Sequence, residues 1–230
     1  MKQTVLITGA SKGFGKCLSL EFAKNNYNII IQGRNQERLD KTCNEIKSYD
    51  VDCDIIKGDL RNQDTLDKIY EISKNKNIIL LINNAAMICP GLSIDKLSFE
   101  QIEEMINTNL LAVIKLTKLI MNIFIENKKG SIININSLVG LEHKKNRTIY
   151  AASKWGLRGF TNSLNLEAQD NNINAFSVFL SKMKTESTDT FGMNPNEVAN
   201  KVYNAFLEIK KDDLIIDGRP PEFRPKKNGS

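Results

Sequence analysis

The fold is decided near the start of the chain, by the stretch Val5-Leu6-Ile7-Thr8-Gly9-Ala10-Ser11-Lys12-Gly13-Phe14-Gly15. Its first three residues are apolar and predict a strand buried on both faces, as the strands of a parallel sheet are. Three glycines with the spacing G-x-x-x-G-x-G then lead into an amphipathic helix. Glycines at such a turn let the backbone approach a diphosphate at the helix N-terminus. The stretch predicts a dinucleotide site, with an ordinary glycine turn as the alternative.

The same rhythm of strand and helix continues along the chain. We predict further strands at about 28–32, 53–57, 78–82, 130–136, 173–180 and 214–216. The helices are predicted to end near residue 25 and to cover about 36–48, 64–74, 98–127, 150–168 and 195–210. This alternation is typical of α/β folds. We expect a single doubly wound, Rossmann-type domain over residues 1–217, with a mostly seven-stranded parallel sheet and helices on both faces. Residues 218–230 are expected to form a loose tail.

Composition argues against several classes of function. The net charge of +5 is mild and no long basic block appears, so we predict no nucleic-acid partner. The four cysteines form no C-x-x-C pair and the chain has one histidine, so no metal site is expected. Reduced thiols in a cytoplasmic protein are the simplest interpretation. We see no signal peptide and no apolar run that approaches the length of a membrane span, so no membrane partner is predicted.

A second stretch, Tyr150-Ala151-Ala152-Ser153-Lys154, carries candidate chemistry. A tyrosine and a lysine four residues apart share one face of a helix. An ammonium near a phenol favours the phenolate, so we expect the pKa of Tyr150 to fall below its free value of about 10. Ser137 ends an apolar run thirteen residues upstream and could bond the same substrate oxygen. Taken alone, a solvated helix face is the simpler interpretation of the pair.

The end of the second predicted strand bears on the choice of nicotinamide cofactor. NAD sites usually place an acid there, to bond the ribose 2′-hydroxyl. This chain has Gln32-Gly33-Arg34 instead. The planar fork of Arg34 suits a 2′-phosphate, and Lys12 would add a second positive charge. The pattern favours NADP over NAD, although both residues could be ordinary surface charges.

With these pieces in order, nearly the whole chain resembles the short-chain dehydrogenase/reductase family. Thr8-Gly9-x-x-x-Gly13-x-Gly15 is similar to its cofactor loop, Asp59-Leu60 to its adenine contact, and Asn83-Asn84-Ala85-Ala86 to its N-N-A-G segment. The resemblance implies an NADP(H) site formed by Gly9, Ser11, Lys12, Gly13, Phe14, Gly15, Arg34, Asp59, Leu60, Asn83, Ala85, Tyr150, Lys154 and Thr185. It also implies a catalytic tetrad of Asn109, Ser137, Tyr150 and Lys154.

The same resemblance implies a reaction. Hydride would pass between NADP(H) and a small-molecule carbonyl or alcohol, with a ketone or 3-oxoacyl compound as the expected substrate. Ser137 would hold the carbonyl oxygen, and Tyr150 would donate its proton. Lys154 would lower the tyrosine pKa and bond the nicotinamide ribose, and Asn109 would hold a water that links Lys154 to solvent. A buried helix asparagine and a strand-end hydroxyl are the structural alternatives for Asn109 and Ser137.

The chain departs from the family pattern after the sixth strand. Leu180-Ser181 replaces the usual Pro-Gly, while Thr185 fits the threonine that bonds the nicotinamide carboxamide. The segment 186–194 is short for a substrate lid and suggests an open site. These changes leave two alternatives open, namely an NADP-binding sensor or scaffold with little turnover, and an NAD-dependent alcohol dehydrogenase.

Two features bear on substrate and assembly. The loop 138–147 carries three basic residues and His143, so either it attracts an acidic substrate or it is simply solvated. The helices predicted at 98–127 and 150–168 are apolar on more than one face, as at Leu110, Val113, Leu116, Leu157 and Phe160. A homodimer or homotetramer is expected from this pattern, which buried helix faces would also explain.

Overall fold

The computed structural model describes residues 2–88, 91–185, 191–210 and 212–224. It contains one sheet, whose strands are β1 Thr4–Ile7, β2 Asn28–Gly33, β3 Cys53–Lys57, β4 Ile78–Asn83, β5 Gly130–Ser137, β6 Ile173–Leu180 and β7 Leu214–Ile216. Their order is β3-β2-β1-β4-β5-β6-β7, and every adjacent pair is parallel. The predicted seven-stranded parallel sheet is confirmed, with each strand boundary within one residue of its expected place.

Helices cover both faces of this sheet. They are α1 Gly13–Lys24, α2 Gln36–Lys47, α3 Gln63–Ser73, α4 Phe99–Ile106, α5 Ala112–Asn127, α6 Thr148–Ala168 and α7 Pro195–Leu207. One buried apolar cluster joins the sheet to α1, α2 and α7, and the other joins it to α3, α5 and α6. Because β1, β2 and β4 are buried along their whole length, their sequences are almost continuously apolar. The architecture is therefore the doubly wound one.

The strand order reverses between β1 and β4. From β1 the chain moves outward to β2 and β3, and from β4 it moves outward the other way to β7. Connections that leave in opposite directions open a crevice beyond the carboxyl ends of these two strands. The glycine turn follows β1 and the Asn83–Ala86 segment follows β4, so both predicted cofactor motifs lie at this crevice.

Local sequence signals account for several helix starts. The Asn35 side chain accepts a hydrogen bond from the N–H of Arg38 at 2.9 Å and caps α2. Ser98 and Gln101 form a reciprocal capping box at α4. Pro195 occupies the first turn of α7, where its missing N–H has no intrahelical partner to lose.

The helix predicted at 98–127 differs from expectation in two ways. It is interrupted between α4 and α5 by a π-helical segment, Asn107–Leu111, which the sequence pattern does not reveal. By length and composition the run Phe99–Asn127 is also apolar enough to cross a membrane, contrary to our expectation that no segment would be. Leu116, Ile120 and Phe124 of this run are fully buried in the core cluster beside the sheet. The helix thus packs as a core helix.

The predicted tail is partly held in place. Arg219 donates hydrogen bonds to both oxygens of Glu142, at 2.8 and 2.6 Å, which anchors the part of the tail that the structure describes. The boundary at residue 218 and the loose tail beyond it stay predictions, and 225–230 lie outside the described residues. Cys17, Cys43 and Cys53 are free thiols, as expected, and Cys89 is not among the described residues.

Candidate active site

The glycine turn after β1 is shaped by positions that exclude a side chain. Gly9 and Gly13 have φ angles of +63° and +56°, in the left-handed region that favours glycine. A Cβ on Gly9 would lie 2.8 Å from the Cα of Ala85, and one on Gly15 would collide with the carbonyl oxygen of Gly9. Helix α1 begins within this turn, so its first N–H groups lack intrahelical partners. The turn is a backbone cradle that fits a dinucleotide diphosphate.

Hydrogen bonds brace this turn against the segment that follows β4. The Thr8 hydroxyl accepts hydrogen bonds from the backbone N–H groups of Asn84 and Ala85, each at 3.0 Å. Nδ2 of Asn84 donates to the carbonyl oxygens of Thr8 and Gly9, at 2.9 and 3.2 Å. Asn84, which we did not include among the site residues, therefore fixes the shape of the cradle.

Gln32 is a second residue that sequence reasoning missed. Its side chain is buried, with Oε1 accepting from the N–H of Gly9 at 3.2 Å and Nε2 donating to the carbonyl of Gly58 at 2.7 Å. The side chain thus ties the glycine turn to the end of β3 across β2. A polar residue in an otherwise apolar buried strand is the signal that could have identified it.

Ser11, Lys12 and Phe14 take different positions in the turn. Ser11 packs close to Gly33, where an added Cβ would lie 3.1 Å from the Ser11 Cβ. Lys12 is the N-cap residue of α1, with an extended backbone. The Phe14 side chain is buried in the core, so its backbone is the part available to a ligand.

Two arginines gather around Asp59, just beyond the ends of β2 and β3. Nη2 of Arg61 lies 2.7 Å from Oδ2 of Asp59, and Nη1 of Arg34 lies 4.0 Å from the same oxygen. The hydrogen bonds from Arg61 hold the pKa of the Asp59 carboxyl below its ordinary value, and the Arg34 charge adds to this. The Arg34 side chain is 75% exposed, and Leu60 is buried in the core. Arg61 is a positive charge that our prediction overlooked.

Three of the predicted catalytic groups converge at the carboxyl end of β5. The Ser137 hydroxyl hydrogen-bonds the Tyr150 phenol. The Lys154 ammonium lies 5.8 Å from the centroid of the Tyr150 ring and donates to the carbonyl of Ile135 at 3.0 Å. Tyr150 and Lys154 are only 8% and 3% exposed. The constellation lies at the same edge of the sheet as the glycine turn.

The pKa values of this pair differ from our expectation. Burial raises the pKa of Tyr150, and the opposing effects of the Ser137 hydrogen bond and the Arg147 charge are smaller. We expected Lys154 to lower it, which was wrong because the lysine directs its ammonium to a backbone carbonyl. Burial also lowers the pKa of Lys154, to about 8. Tyr150 is therefore a neutral phenol near pH 7, the form that donates a proton.

Asn136 links β5 to α6, the helix that carries Tyr150 and Lys154. Its Oδ1 accepts from the N–H of Ser137 at 2.8 Å, and its Nδ2 donates to the carbonyl of Lys154 at 3.1 Å. One buried amide therefore sets the separation of β5 and α6 beside the predicted catalytic groups. In the sequence, Asn136 stands directly before Ser137 at the end of an apolar run, and we did not predict a role for it.

Asn109 lies in the π-helical segment and is buried. Its Oδ1 accepts from the N–H of Met87 at 2.7 Å, and its Nδ2 donates to the carbonyl of Met87 at 2.9 Å and to the Ser153 hydroxyl at 3.3 Å. Both amide protons are thus used within the protein. The proton-relay role of Asn109 stays a prediction, in which a water would have to use a remaining oxygen lone pair.

Asn83 is placed in a polar layer inside the fold. Its Nδ2 donates to Thr117 at 3.2 Å and to the Oδ1 of Asn134 at 2.8 Å, and Asn134 in turn donates to Thr161 at 2.8 Å. The layer connects β4 and β5 to α5 and α6. Both amide protons of Asn83 are used on these partners and the residue is buried, so we expect any contact of Asn83 with a cofactor to use its backbone.

The loop after β6 returns to the glycine turn. A Cβ on Gly13 would lie 3.5 Å from the Cβ of Thr185, so the two predicted cofactor loops approach each other. The short lid predicted at 186–194 falls partly outside the described residues. No group of three His, Cys, Asp or Glu that could hold a metal ion occurs within the described ranges.

Comparison with known proteins agrees with this geometry. A family model described as short chain dehydrogenase matches residues 3–195. The chain is 30% identical to ketoacyl reductase HetN of Nostoc sp., over 95% of this chain and 79% of that protein. It is also 30% identical to 3-oxoacyl-[acyl-carrier-protein] reductase FabG of Thermotoga maritima, over 84% and 79% of the two chains. A short-chain dehydrogenase from Sphingobium yanoikuyae, solved in complex with NADPH, is 26% identical, with a TM-score of 0.85 and coverage of 96% and 89%.

Proposed function

The chain belongs to the short-chain dehydrogenase/reductase family of oxidoreductases, and from that premise we propose that it reduces a ketone or 3-oxoacyl-type carbonyl with NADPH. The observation that carries the proposal is the convergence of Ser137, Tyr150 and Lys154 at one edge of the sheet. NADPH held along the glycine turn would supply the hydride. The reductase names of similar proteins and the NADPH complex of a structural relative support this choice.

Each catalytic group has a role that its surroundings suit. The Ser137 hydroxyl can donate to the carbonyl oxygen, beside the phenol that it already bonds. Tyr150, neutral near pH 7, gives that oxygen its proton, a step typically worth about 10²–10⁴ in rate. Arg147 places positive charge near the phenol, where the phenolate forms. At neutral pH the phenol therefore carries the proton that carbonyl reduction consumes.

The preference for NADP over NAD rests on charge at the adenosine end. Arg34 is exposed and free to swing toward a 2′-phosphate, and no acid occupies the end of β2. Arg61 adds a second guanidinium nearby. An NAD-dependent alcohol dehydrogenase remains the alternative, and it predicts equal or tighter binding of NADH.

Positive charge beside Tyr150 favours substrates that carry an anionic group. Arg147 lies close enough to influence the phenol, and Lys144 and Lys145 are exposed on the same loop. An anionic carbonyl should lose catalytic efficiency as salt rises, since exposed charges are screened over about 8–10 Å at moderate ionic strength. A neutral carbonyl should not. If the catalytic efficiencies for anionic and neutral carbonyls are equal and do not change with salt, the acidic-substrate proposal is wrong.

The test is NADPH oxidation with a panel of ketones, aldehydes and 3-oxoacyl thioesters, with Tyr150→Phe as the diagnostic variant. We expect turnover by the wild type, a large loss in Tyr150→Phe, and no loss in the exposed control Tyr49→Phe. The dissociation constant of NADPH should be similar in all three. NADPH binding without turnover of any carbonyl, alike in wild type and Tyr150→Phe, would favour a sensor or scaffold.

We also propose a homodimer or homotetramer in the cytoplasm. Val113, Leu116 and Leu157 are buried within the chain itself, so they no longer support an interface. Leu111, at the end of the π-helical segment, and Leu166, on α6, stay 41% and 71% exposed and carry the argument instead. Light scattering at micromolar concentration tests this, and a monomer would contradict it. The free thiols fit a reducing compartment.

A further inference from the structure

We propose that residues 216–219, which we term the C-terminal clamp, position the two loops that border the substrate side of the crevice. Arg219 and Ser181 act as positioning residues, since each holds a loop and neither contacts the catalytic groups. The effect on catalysis rests on the proposed reductase function, whereas the effect on loop order does not.

The guanidinium of Arg219 holds two carboxylates at once. Nη1 and Nη2 donate to the two oxygens of Glu142 at 2.8 and 2.6 Å, and Nε donates to Oδ1 of Asp217 at 2.9 Å. The three side chains are 29%, 27% and 15% exposed, so solvent screens these pairs only in part. A planar fork with this geometry is one that lysine cannot reproduce.

Glu142 connects this contact to the catalytic serine. Its N–H donates to the carbonyl of Leu138 at 2.9 Å, which closes a tight turn directly after Ser137. The Ser137 hydroxyl also accepts from the N–H of Val139, within the same turn, at 3.3 Å. Arg219 therefore restrains the turn that orients the Ser137 hydroxyl, from a position 77 residues farther along the chain.

The same clamp holds the loop after β6. The N–H of Gly218 donates to the Ser181 hydroxyl at 2.9 Å, and the N–H of Ser181 donates to the carbonyl of Ile216 at 3.3 Å. Gly218 also packs closely against Met193, since a Cβ on Gly218 would collide with the Met193 side chain. The carbonyl of Met193 in turn accepts a hydrogen bond from the N–H of Lys184, in the loop after β6, at 3.0 Å. Ser181, which stands where the family pattern has a glycine, thus supplies the hydroxyl that the clamp binds.

Loosening the clamp should affect the carbonyl more than the cofactor. The Glu142 loop borders the Ser137 side of the crevice, whereas the glycine turn is braced separately by Asn84 and Gln32. Small misplacements near reacting groups cost up to about 10²-fold in rate. A shift in loop 138–147 should therefore raise KM and lower kcat for the carbonyl while NADPH binds as before.

The experiment uses the full-length protein and the variants Arg219→Lys, Glu142→Gln and Ser181→Ala. The matched control is Glu222→Gln, because Glu222 is an exposed carboxylate of the same C-terminal segment that lies outside the clamp. Hydrogen–deuterium exchange is measured on peptides covering 138–147 and 182–185. Steady-state kinetics and NADPH titration follow on the same samples.

We expect faster exchange in 138–147 for the Arg219 and Glu142 variants, and in 182–185 for Ser181→Ala. In the Arg219 and Glu142 variants the kcat/KM for the carbonyl should fall about tenfold, with the NADPH dissociation constant within about twofold of the wild type. Combining Arg219→Lys with Glu142→Gln should be no worse than either alone, since one contact is lost. The control should match the wild type.

The clamp proposal is wrong if both loops of the variants exchange hydrogen at the wild-type rate. It is also wrong if the loops exchange faster while the kcat/KM of an active enzyme stays unchanged. If the wild type turns over no carbonyl in the panel, the proposed reductase function fails. The exchange measurements then decide by themselves whether the clamp orders the loops.

Discussion

Replacing Lys154 with methionine should stabilise the protein while it destroys activity. Burial lowers the pKa of this lysine from its ordinary 10.5 to about 8. At about 1.4 kcal/mol for each pKa unit, keeping the ammonium charged inside the fold costs about 3 kcal/mol at neutral pH. The bond to the Ile135 carbonyl returns about 1–2 kcal/mol of this. We therefore expect Lys154→Met to gain about 1–2 kcal/mol in free energy of unfolding at pH 7.

The gain depends on pH with a definite sign. Between about pH 8 and pH 10.5, the unfolded chain keeps the Lys154 proton while the folded protein releases it. The unfolded state then binds more protons, so the stability of the wild type rises with pH across this window. The advantage of Lys154→Met is therefore full below pH 8 and shrinks as pH approaches 10.5.

Urea unfolding followed by fluorescence of the single tryptophan, Trp155, measures both effects. The comparison is made at pH 7 and pH 10, with the exposed Lys118→Met as control, which should stay within about 0.5 kcal/mol of the wild type. The reasoning is refuted if Lys154→Met is less stable than the wild type at pH 7. It is also refuted if the stability advantage of Lys154→Met is the same at pH 7 and pH 10. Turnover that survives in Lys154→Met would contradict its catalytic role.

Three further predictions follow from other parts of the site. Arg34→Ala should weaken NADPH binding by about 10- to 150-fold and leave NADH nearly unchanged in titrations, because a charged hydrogen bond contributes about 1.5–3 kcal/mol; equal weakening counts against the NADP assignment. Gly15→Ala should abolish NADPH binding, since its Cβ would collide with the Gly9 carbonyl, whereas Gly159→Ala, whose Cβ meets nothing within 4 Å, should bind normally. Asn134→Leu should lower the free energy of unfolding by about 2–4 kcal/mol, because buried partners lose their bonds, and an unchanged urea midpoint would disprove this.

The strands and the cofactor turn could be predicted from sequence because their determinants are local. A strand buried on both faces must be apolar throughout, so runs such as Ile78–Asn83 mark their own ends. Gly9 and Gly15 are required by backbone conformation and by the close approach of neighbouring chain, which leaves a direct trace in the sequence.

The electrostatics of the site could not be predicted in this way. Spacing places Tyr150 and Lys154 on one helix face, but it does not say how deeply that face is buried or where the ammonium points. Desolvation depends on the packing of α6 against β5, and it outweighs the expected charge effect on the phenol. The π-helical segment at Asn107–Leu111 and the Arg219 contact likewise depend on tertiary partners far away in the chain.

One further determinant was visible in the sequence as Asn134-Ile135-Asn136. Residues two apart on a strand share a face, so both amides point to the side opposite Ile135. Asn134 donates to Thr161, and Asn136 donates to the carbonyl of Lys154. Lys154 precedes Thr161 by seven residues, which is about two turns of α6. Polar groups buried in a strand must find partners, and here the partners lie on α6, the helix that carries Tyr150 and Lys154. The alternation of polar and apolar residues in β5 therefore sets how α6 lies against the sheet, and with it the distance from the serine hydroxyl to the phenol.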